Sequence, residues 1–247
     1  MMISDKHFIF EVCANGIQSL LTAQRAGATR VELCEAIELG GLTPSYGCLK
    51  LAASLKTIPV HVLIRPRGGH YIYSDLEADQ IIEDILMVKE LGFEGVVVGV
   101  LNKKREPDLD LLQRITEAAQ GMHLTFHRAI DAARDPMNCL ATLVDFGFKT
   151  VLSSGAESDA CSGIPLLKQM NEKFGKQIEI MAGGGVNAQN AVLILSETGL
   201  KSLHFSAKAK QQMAHVFPQG VDATQADMSF YSTDFNNVEA IIAAVSN

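Results

Sequence analysis

The sequence has no apolar run near the roughly 18 residues a membrane-spanning helix needs, so a membrane protein is not expected. Residues 1–7 lack the basic and then apolar regions of a secretory signal, which makes the cytoplasm the expected location. There is no basic stripe. The formal net charge is -7, and the one local cluster is Lys103, Lys104 and Arg105, so nucleic acid is not an expected partner. Neither a CxxC pair nor a mixed Cys/His zinc spacing occurs, and five cysteines is an odd number for a secreted disulfide framework. No Pro/Ser/Gly-rich stretch or charge block divides the 247 residues, so a single domain over 1–247 is expected.

What is present is a repeat. Short β-branched runs begin near Phe8, Arg30, Pro59, Gly95, His123, Thr150, Ile178 and Ser202, each followed by a loop and a helical pattern. Strands alternating with helices eight times predict a parallel sheet closed into a (β/α)8 TIM barrel, with an open doubly wound sheet as the less suitable alternative. The helix signals agree. Ser74 to Glu77 reads as a capping box, Asp135-Pro136 as a cap followed by proline at the first helical position, and Gly27, Gly92, Gly147 and Gly199 as helix ends. Residues 206–236 have weak periodicity. They are expected to form an irregular segment before the last helix, of the length usually reserved for function or for an interface.

Alternation along the strands carries the functional signal. Phe10 and Val12 oppose Glu11 and Cys13; Val31 and Leu33 oppose Glu32 and Cys34; Val60, Val62 and Ile64 oppose His61, Leu63 and Arg65. Leu124 and Phe126 oppose His123, Thr125 and His127, and Leu203 and Phe205 oppose His204 and Ser206. The apolar faces must meet the helices, so the polar faces point into the barrel, where Val, Ile and Leu are the usual filling. An unpaired buried charge costs several kcal/mol against a domain stability of about 5–15 kcal/mol. Two glutamates, an arginine and four histidines therefore imply either a self-satisfied network, with Glu11 or Glu32 against Arg65, or a wet pocket at the strand C-terminal ends. The pocket is the expectation, because barrel active sites form on that face.

Several loops extend the pocket. Arg65 and Arg67, with Gly68 and Gly69 beside them, suit a small anion held by guanidinium forks. Gly183, Gly184 and Gly185 precede a helix expected to start near Asn187, a position where bare backbone N–H groups can hold an anion. Ser154 and Ser206 could add hydroxyls, and His61, Arg128 and His204 further polar contacts. His127, with Asp131 as its orienting carboxylate, is the expected acid/base, and Glu11 and Glu32 are its candidate carboxylate partners. His123, at the start of its strand, is expected to pack near the barrel floor. Cys13 and Cys34 end adjacent strands on one face, about 4.8 Å apart, and two thiolates so placed could clamp a soft ion such as Cu(I). Free cysteine is also a common core residue.

These residues resemble a known family. Arg30 to Cys34, Gly40 to Ser45, Arg65 to Gly69 with Tyr73 to Asp75, Thr125 to Ala129, Leu152 to Gly155, Met181 to Val186 and Leu203 to Ala207 are similar to CutC family motifs. The likeness runs from the first strand to the eighth and fades after Ala207. Phe205 stands where the family often has a small residue. The resemblance implies a cytoplasmic (β/α)8 barrel, homo-oligomeric and named for copper homeostasis, with Cys13 and Cys34 as the counterpart of the cysteine pair to which copper binding has been assigned. The polar pocket itself suits a second reading, an enzyme acting on a small anionic or phosphorylated metabolite.

Overall fold

The computed structural model describes residues 8–211 and 229–246. Its elements run β1 (Ile9–Asn15), α1 (Gly16–Arg25), β2 (Arg30–Cys34), α2 (Tyr46–Leu55), β3 (Val60–Leu63), α3 (Asp75–Glu90), β4 (Gly95–Val98) and α4 (Leu109–Ala118). They continue with β5 (His123–Phe126), α5 (Pro136–Asp145), β6 (Thr150–Ser153), α6 (Ile164–Phe174), β7 (Glu179–Gly183), α7 (Ala191–Thr198) and β8 (Ser202–Phe205). The eight strands are parallel and close into a barrel as β8 pairs with β1, Glu11 lying opposite His204. The chain is a (β/α)8 barrel, and each strand starts within one residue of the position read from the sequence. None of the described helices is long and apolar enough to cross a membrane.

Local chemistry sets the helix ends. Ser74 and Glu77 form the reciprocal capping box, and the Asp135 carboxylate accepts from the backbone N–H groups of Met137 and Asn138 ahead of Pro136. Gly199 ends α7 in the left-handed region. Two elements differ from expectation. The helix after β7 begins at Ala191 rather than near Asn187, because the Asn187 and Asn190 side chains accept from the backbone at Gln189 and Asn187 and hold an Asx-type turn there. The segment 206–236 is not irregular throughout. Lys208–Gln211 (β9) and Phe230–Thr233 (β10) pair antiparallel, and α8 (Phe235–Ser246) has begun by its end. Residues 212–228 lie outside the described residues. A four-residue strand whose partner follows a long connection leaves no periodicity to read.

The large core lies between strands and helices and takes the expected outward faces, Phe10, Val12, Val31, Leu33, Val62, Phe126, Leu203 and Phe205 among them. The barrel interior is different. A small apolar group of Cys34, Leu63 and Val97, with Cys13 against it, sits among polar side chains. Two glycines make room for the inward rings. A Cβ at Gly95 would lie 2.6 Å from the His61 ring, and one at Gly99 would lie 2.0 Å from Cε1 of His127, so neither position accepts a side chain without moving a histidine.

At the floor, Arg30 crosses the interior. Its Nε donates to Glu11, its Nη2 to Glu179 at 2.8 Å, and the same Nη2 lies 3.3 Å from the sulfur of Met181. Glu11 has no exposed surface and Arg30 is 7% exposed. The pairing of Glu11 with Arg65 weighed from the sequence does not form; Arg30, on the same inward face two residues before Glu32, takes that place. His123 packs at the floor as expected, its Nε2 2.8 Å from the Thr150 hydroxyl and its ring 4.5 Å from that of His61.

Glu11→Gln removes one of the two carboxylates paired with Arg30 and sets a neutral group against it in the buried floor. The expected loss is about 3–5 kcal/mol in the denaturant midpoint at neutral pH, the range for breaking one side of a buried pair. A loss under about 1 kcal/mol, the value of an exposed pair, would show that the floor network does not hold the barrel.

Candidate active site in the barrel mouth

At the C-terminal ends of the strands opens a cavity of about 550 Å³. Its wall has two sides. On β8, β1 and β2 stand His204, Cys13 and Glu32, with Arg65 on the β3 side and His127 and Arg128 after β5.

The first side is a linked set of donors. His204 Nδ1 lies 2.8 Å from Glu11 Oε1, and its Nε2 3.5 Å from Glu32 Oε2. Cys13, Glu32 and His204 present Sγ, a carboxylate oxygen and a ring nitrogen all within 4.8 Å of one another. Burial alone would lower the pKa of His204, but the Glu32 carboxylate and the hydrogen bonds to Cys13 and Glu11 raise it well above its ordinary value. Burial raises Glu32, against the pull of His204. Glu11 also pays for burial, yet Arg30 and His204 hold it well below the carboxylate range. The sulfurs of Cys13 and Cys34 are 3.6 Å apart, and this contact, with burial, raises the Cys13 thiol well above its ordinary value.

The second side carries a cation that meets no carboxylate among the described residues. Arg65 is 6% exposed, and its Nη atoms donate to the carbonyls of Leu39, Gly41 and Gly69, none of them a carboxylate. Its Nε has no partner among the described residues. Tyr71 stacks between Arg65, whose guanidinium carbon is 5.3 Å from the ring centre, and His127, 4.9 Å away. His127 Nδ1 accepts from the Ala129 backbone N–H, so the ring proton sits on Nε2, which also has no partner.

This corrects the expected roles. Burial, with Arg65 beside it, lowers the pKa of His127 to about 3, so the ring is neutral and donates rather than acting as a base near pH 7. Asp131 does not touch it. That carboxylate lines the cavity but accepts from Arg128, Ser153, Ser154 and the Ala156 N–H, bracing the loop after β6. The titratable groups that face each other on the cavity wall are instead Glu32 and His204. Glu11 lies beneath them, oriented toward His204 and Arg30 and not exposed to the cavity.

Other expected ligand residues separate from the cavity. Arg67 turns away to Glu77 and to the carbonyls of His70 and Ile72. His61 is buried at floor level, with its pKa lowered to about 3 by burial. The Ser154 hydroxyl is engaged within the loop, accepting from Arg128 and lying 2.6 Å from the Glu157 carbonyl and 2.9 Å from Asp131. Gly184 backs this loop, where a Cβ would lie 3.4 Å from the Arg128 guanidinium, and Gly183 packs against the Leu152 and His204 side chains. With α7 starting at Ala191, these glycines are not at a helix N-terminus. Gly185 and Ser206 line a separate cleft of about 330 Å³ with Lys208 and Asn237. Sequence reasoning overlooked Arg30 and Glu179, which the same alternation places inward two residues before Glu32 and Met181, and Tyr71, which lies in a loop that no period marks.

A sequence model described as the CutC family matches residues 8–209. A CutC family protein of Pasteurella multocida is 40% identical over 238 residues, covering 95% of this chain and 98% of that one. Another, from Bacteroides thetaiotaomicron, is 46% identical over 204 residues, 82% of each chain. A solved CutC structure from Streptococcus agalactiae, named for copper homeostasis, superposes with a TM-score of 0.77 at 37% identity, covering 81% of this chain and 98% of that one.

The lowered histidines fix a pH dependence. The unfolded chain protonates His61 and His127 near 6.5, whereas the folded chain resists until about 3. Each therefore contributes stability that is complete above pH 6.5 and is lost as pH falls toward 3, at up to about 1.4 kcal/mol per pH unit per proton. His127→Gln should make the fall in denaturant midpoint between pH 7 and pH 4 shallower than in the unaltered chain. Equal slopes would mean that His127 titrates normally in the folded state.

Proposed function

The chain belongs to the CutC family, and from that premise we propose that its barrel is a cytoplasmic enzyme acting on a small oxyanionic metabolite held in the strand-end cavity. One observation carries the reading: among the described residues, the hydrogen-bond partners of the buried Arg65 cation are all neutral carbonyls, and the same cavity wall holds a His127 N–H with no partner there. A buried unpaired charge is costly, and an anionic ligand is the group that removes the cost. Arg65 and His127 would fix the oxyanion, with Tyr71 setting the angle between them, and the facing Cys13, Glu32 and His204 would meet the rest of the molecule. An enzyme needs such a division between a holding side and a side that can exchange protons or electron pairs. The free state of all five cysteines supports a reducing compartment. Homo-oligomerisation, implied by the family resemblance, is part of the same proposal, and solution mass tests it.

The Cys13–Cys34 contact favours a second reading. The Streptococcus agalactiae relative is named for copper homeostasis. Here two sulfurs 3.6 Å apart, one of them facing the cavity, offer the soft donors that Cu(I) prefers, so Cys13 and Cys34 are the residues that would hold it. That chemistry needs both thiols and is indifferent to Arg65.

The two readings separate by variant. Inorganic phosphate and small phosphorylated or carboxylated metabolites should raise the melting temperature of the unaltered chain. Arg65→Gln should weaken that binding by roughly 10- to 100-fold, the loss of a charge-assisted hydrogen bond worth about 1.5–3 kcal/mol. The same stabilisation in both chains would remove the anion reading. For copper, anaerobic Cu(I) should give a thiolate-to-metal signature that Cys13→Ser and Cys34→Ser each abolish; retention in either variant would remove the cysteine-pair reading.

A further inference from the structure

We propose that Cys13, Glu32 and His204 form a mononuclear site for a divalent borderline metal ion of the zinc class, with its remaining coordination position open to the cavity. The assignment rests on the cavity being a reaction site and specifies how its β8–β1–β2 side would act, but it stands on geometry of its own.

Three observations carry it. First, the donor atoms of the three residues lie within 4.8 Å of one another, and the His204 Nε2 to Glu32 Oε2 separation is already 3.5 Å. Ligands about 2.0–2.3 Å from a tetrahedral ion stand at comparable separations from one another. Second, the histidine is oriented as a metal-binding histidine is. Glu11 holds Nδ1 at 2.8 Å and fixes the ring so that Nε2 faces Glu32. A carboxylate behind a ligating histidine is the usual device for setting the tautomer and raising ligand basicity, and on binding the ion His204 would release its Nε2 proton and Cys13 its thiol proton to solvent. Glu11 is itself held by Arg30, and Arg30 by Glu179, so the ring is anchored through to the barrel floor. Third, all three residues line the cavity wall, so an ion there has an entry path and a vacant side. Three protein ligands of mixed S, O and N type with one open position is the pattern of catalytic rather than structural zinc.

This set is not the cysteine pair. It uses Cys13 but replaces Cys34, which has no exposed surface, with a carboxylate and an imidazole, donors that suit a borderline divalent ion better than Cu(I). Cys34 then packs with Leu63 and Val97 behind Cys13.

Cobalt(II) is the probe, because four-coordinate Co(II) absorbs strongly in the visible and a thiolate ligand adds a sulfur-to-metal charge-transfer band. Metal-stripped, reduced full-length chain should bind a single equivalent of Co(II) with both features, and Zn(II) should displace it. Cys13→Ser should lose the charge-transfer band, and His204→Gln should weaken binding at least tenfold. Cys34→Ser should retain both the band and the affinity. Glu11→Gln, where it folds, should keep the band and weaken binding by roughly 10- to 100-fold, the effect of removing a partner behind a ligand. No Co(II) binding, a band that needs Cys34, or unchanged affinity in His204→Gln would each overturn the site. Phosphate binding through Arg65 is measured on metal-free chain, so a failed cobalt titration leaves the oxyanion reading standing, and a failed phosphate titration leaves the metal site standing.

Discussion

Glu11 is the group on which the interior of this barrel depends. A carboxylate with no exposed surface has to be neutralised where it stands, and Glu11 meets two cations at once, Arg30 below and His204 beside it. The first contact draws Arg30, and with it Glu179 on β7, across the floor. The second joins β1 to β8 at the seam where the sheet closes. Barrel interiors are ordinarily filled with branched aliphatic side chains. Here an ion network does that work in the lower half, and it is high-stakes, since a charge network is sound only when each member has a partner.

The same network decides which chemistry is left for the mouth. Glu32, Cys13 and Glu11 outweigh the burial of His204 and raise its pKa, while burial lowers those of His61 and His127, which have no carboxylate in contact. Three inward histidines, one at the floor and two at the mouth, are thus shifted in opposite directions according to their neighbours. Titratable groups in contact stand on the His204–Glu32 side, and hydrogen-bond donors without a carboxylate on the Arg65–His127 side.

The architecture was legible in the sequence because strand period and cap chemistry are local. Alternation placed Glu11, Glu32, His61, His204 and Arg65 on the inward face, and Ser74 with Glu77 and Asp135 with Pro136 marked helix starts. Alternation gives the face of a residue but not its partner. Glu11 and His204 are 193 residues apart in sequence and meet only because the barrel closes. The same limit explains why Arg65 was weighed as the partner of a glutamate when Arg30 takes that role, and why Asp131, four residues from His127, bonds the β6 loop instead. Arg67 and the glycines after β7 looked like ligand groups by composition. Whether a guanidinium or an N–H is already spent on a neighbour is a tertiary fact, and Glu77 had claimed Arg67.

The remaining question is why Arg65 is left with carbonyls alone. The inward carboxylates near the mouth are already committed: Glu11 to Arg30 and His204, Glu32 to the His204 edge, and Asp131 to Arg128 and the β6 loop. Redirecting one of them to Arg65 would strand the cation it now serves, so the network cannot neutralise Arg65 without opening another unpaired charge. Carbonyl dipoles hold the guanidinium in place but do not cancel its charge. The His127 ring beside it, kept neutral partly by that same charge, offers another donor and no negative group. An anionic ligand is the group that would offset this cost, and that is the physical ground on which the proposed oxyanion site stands.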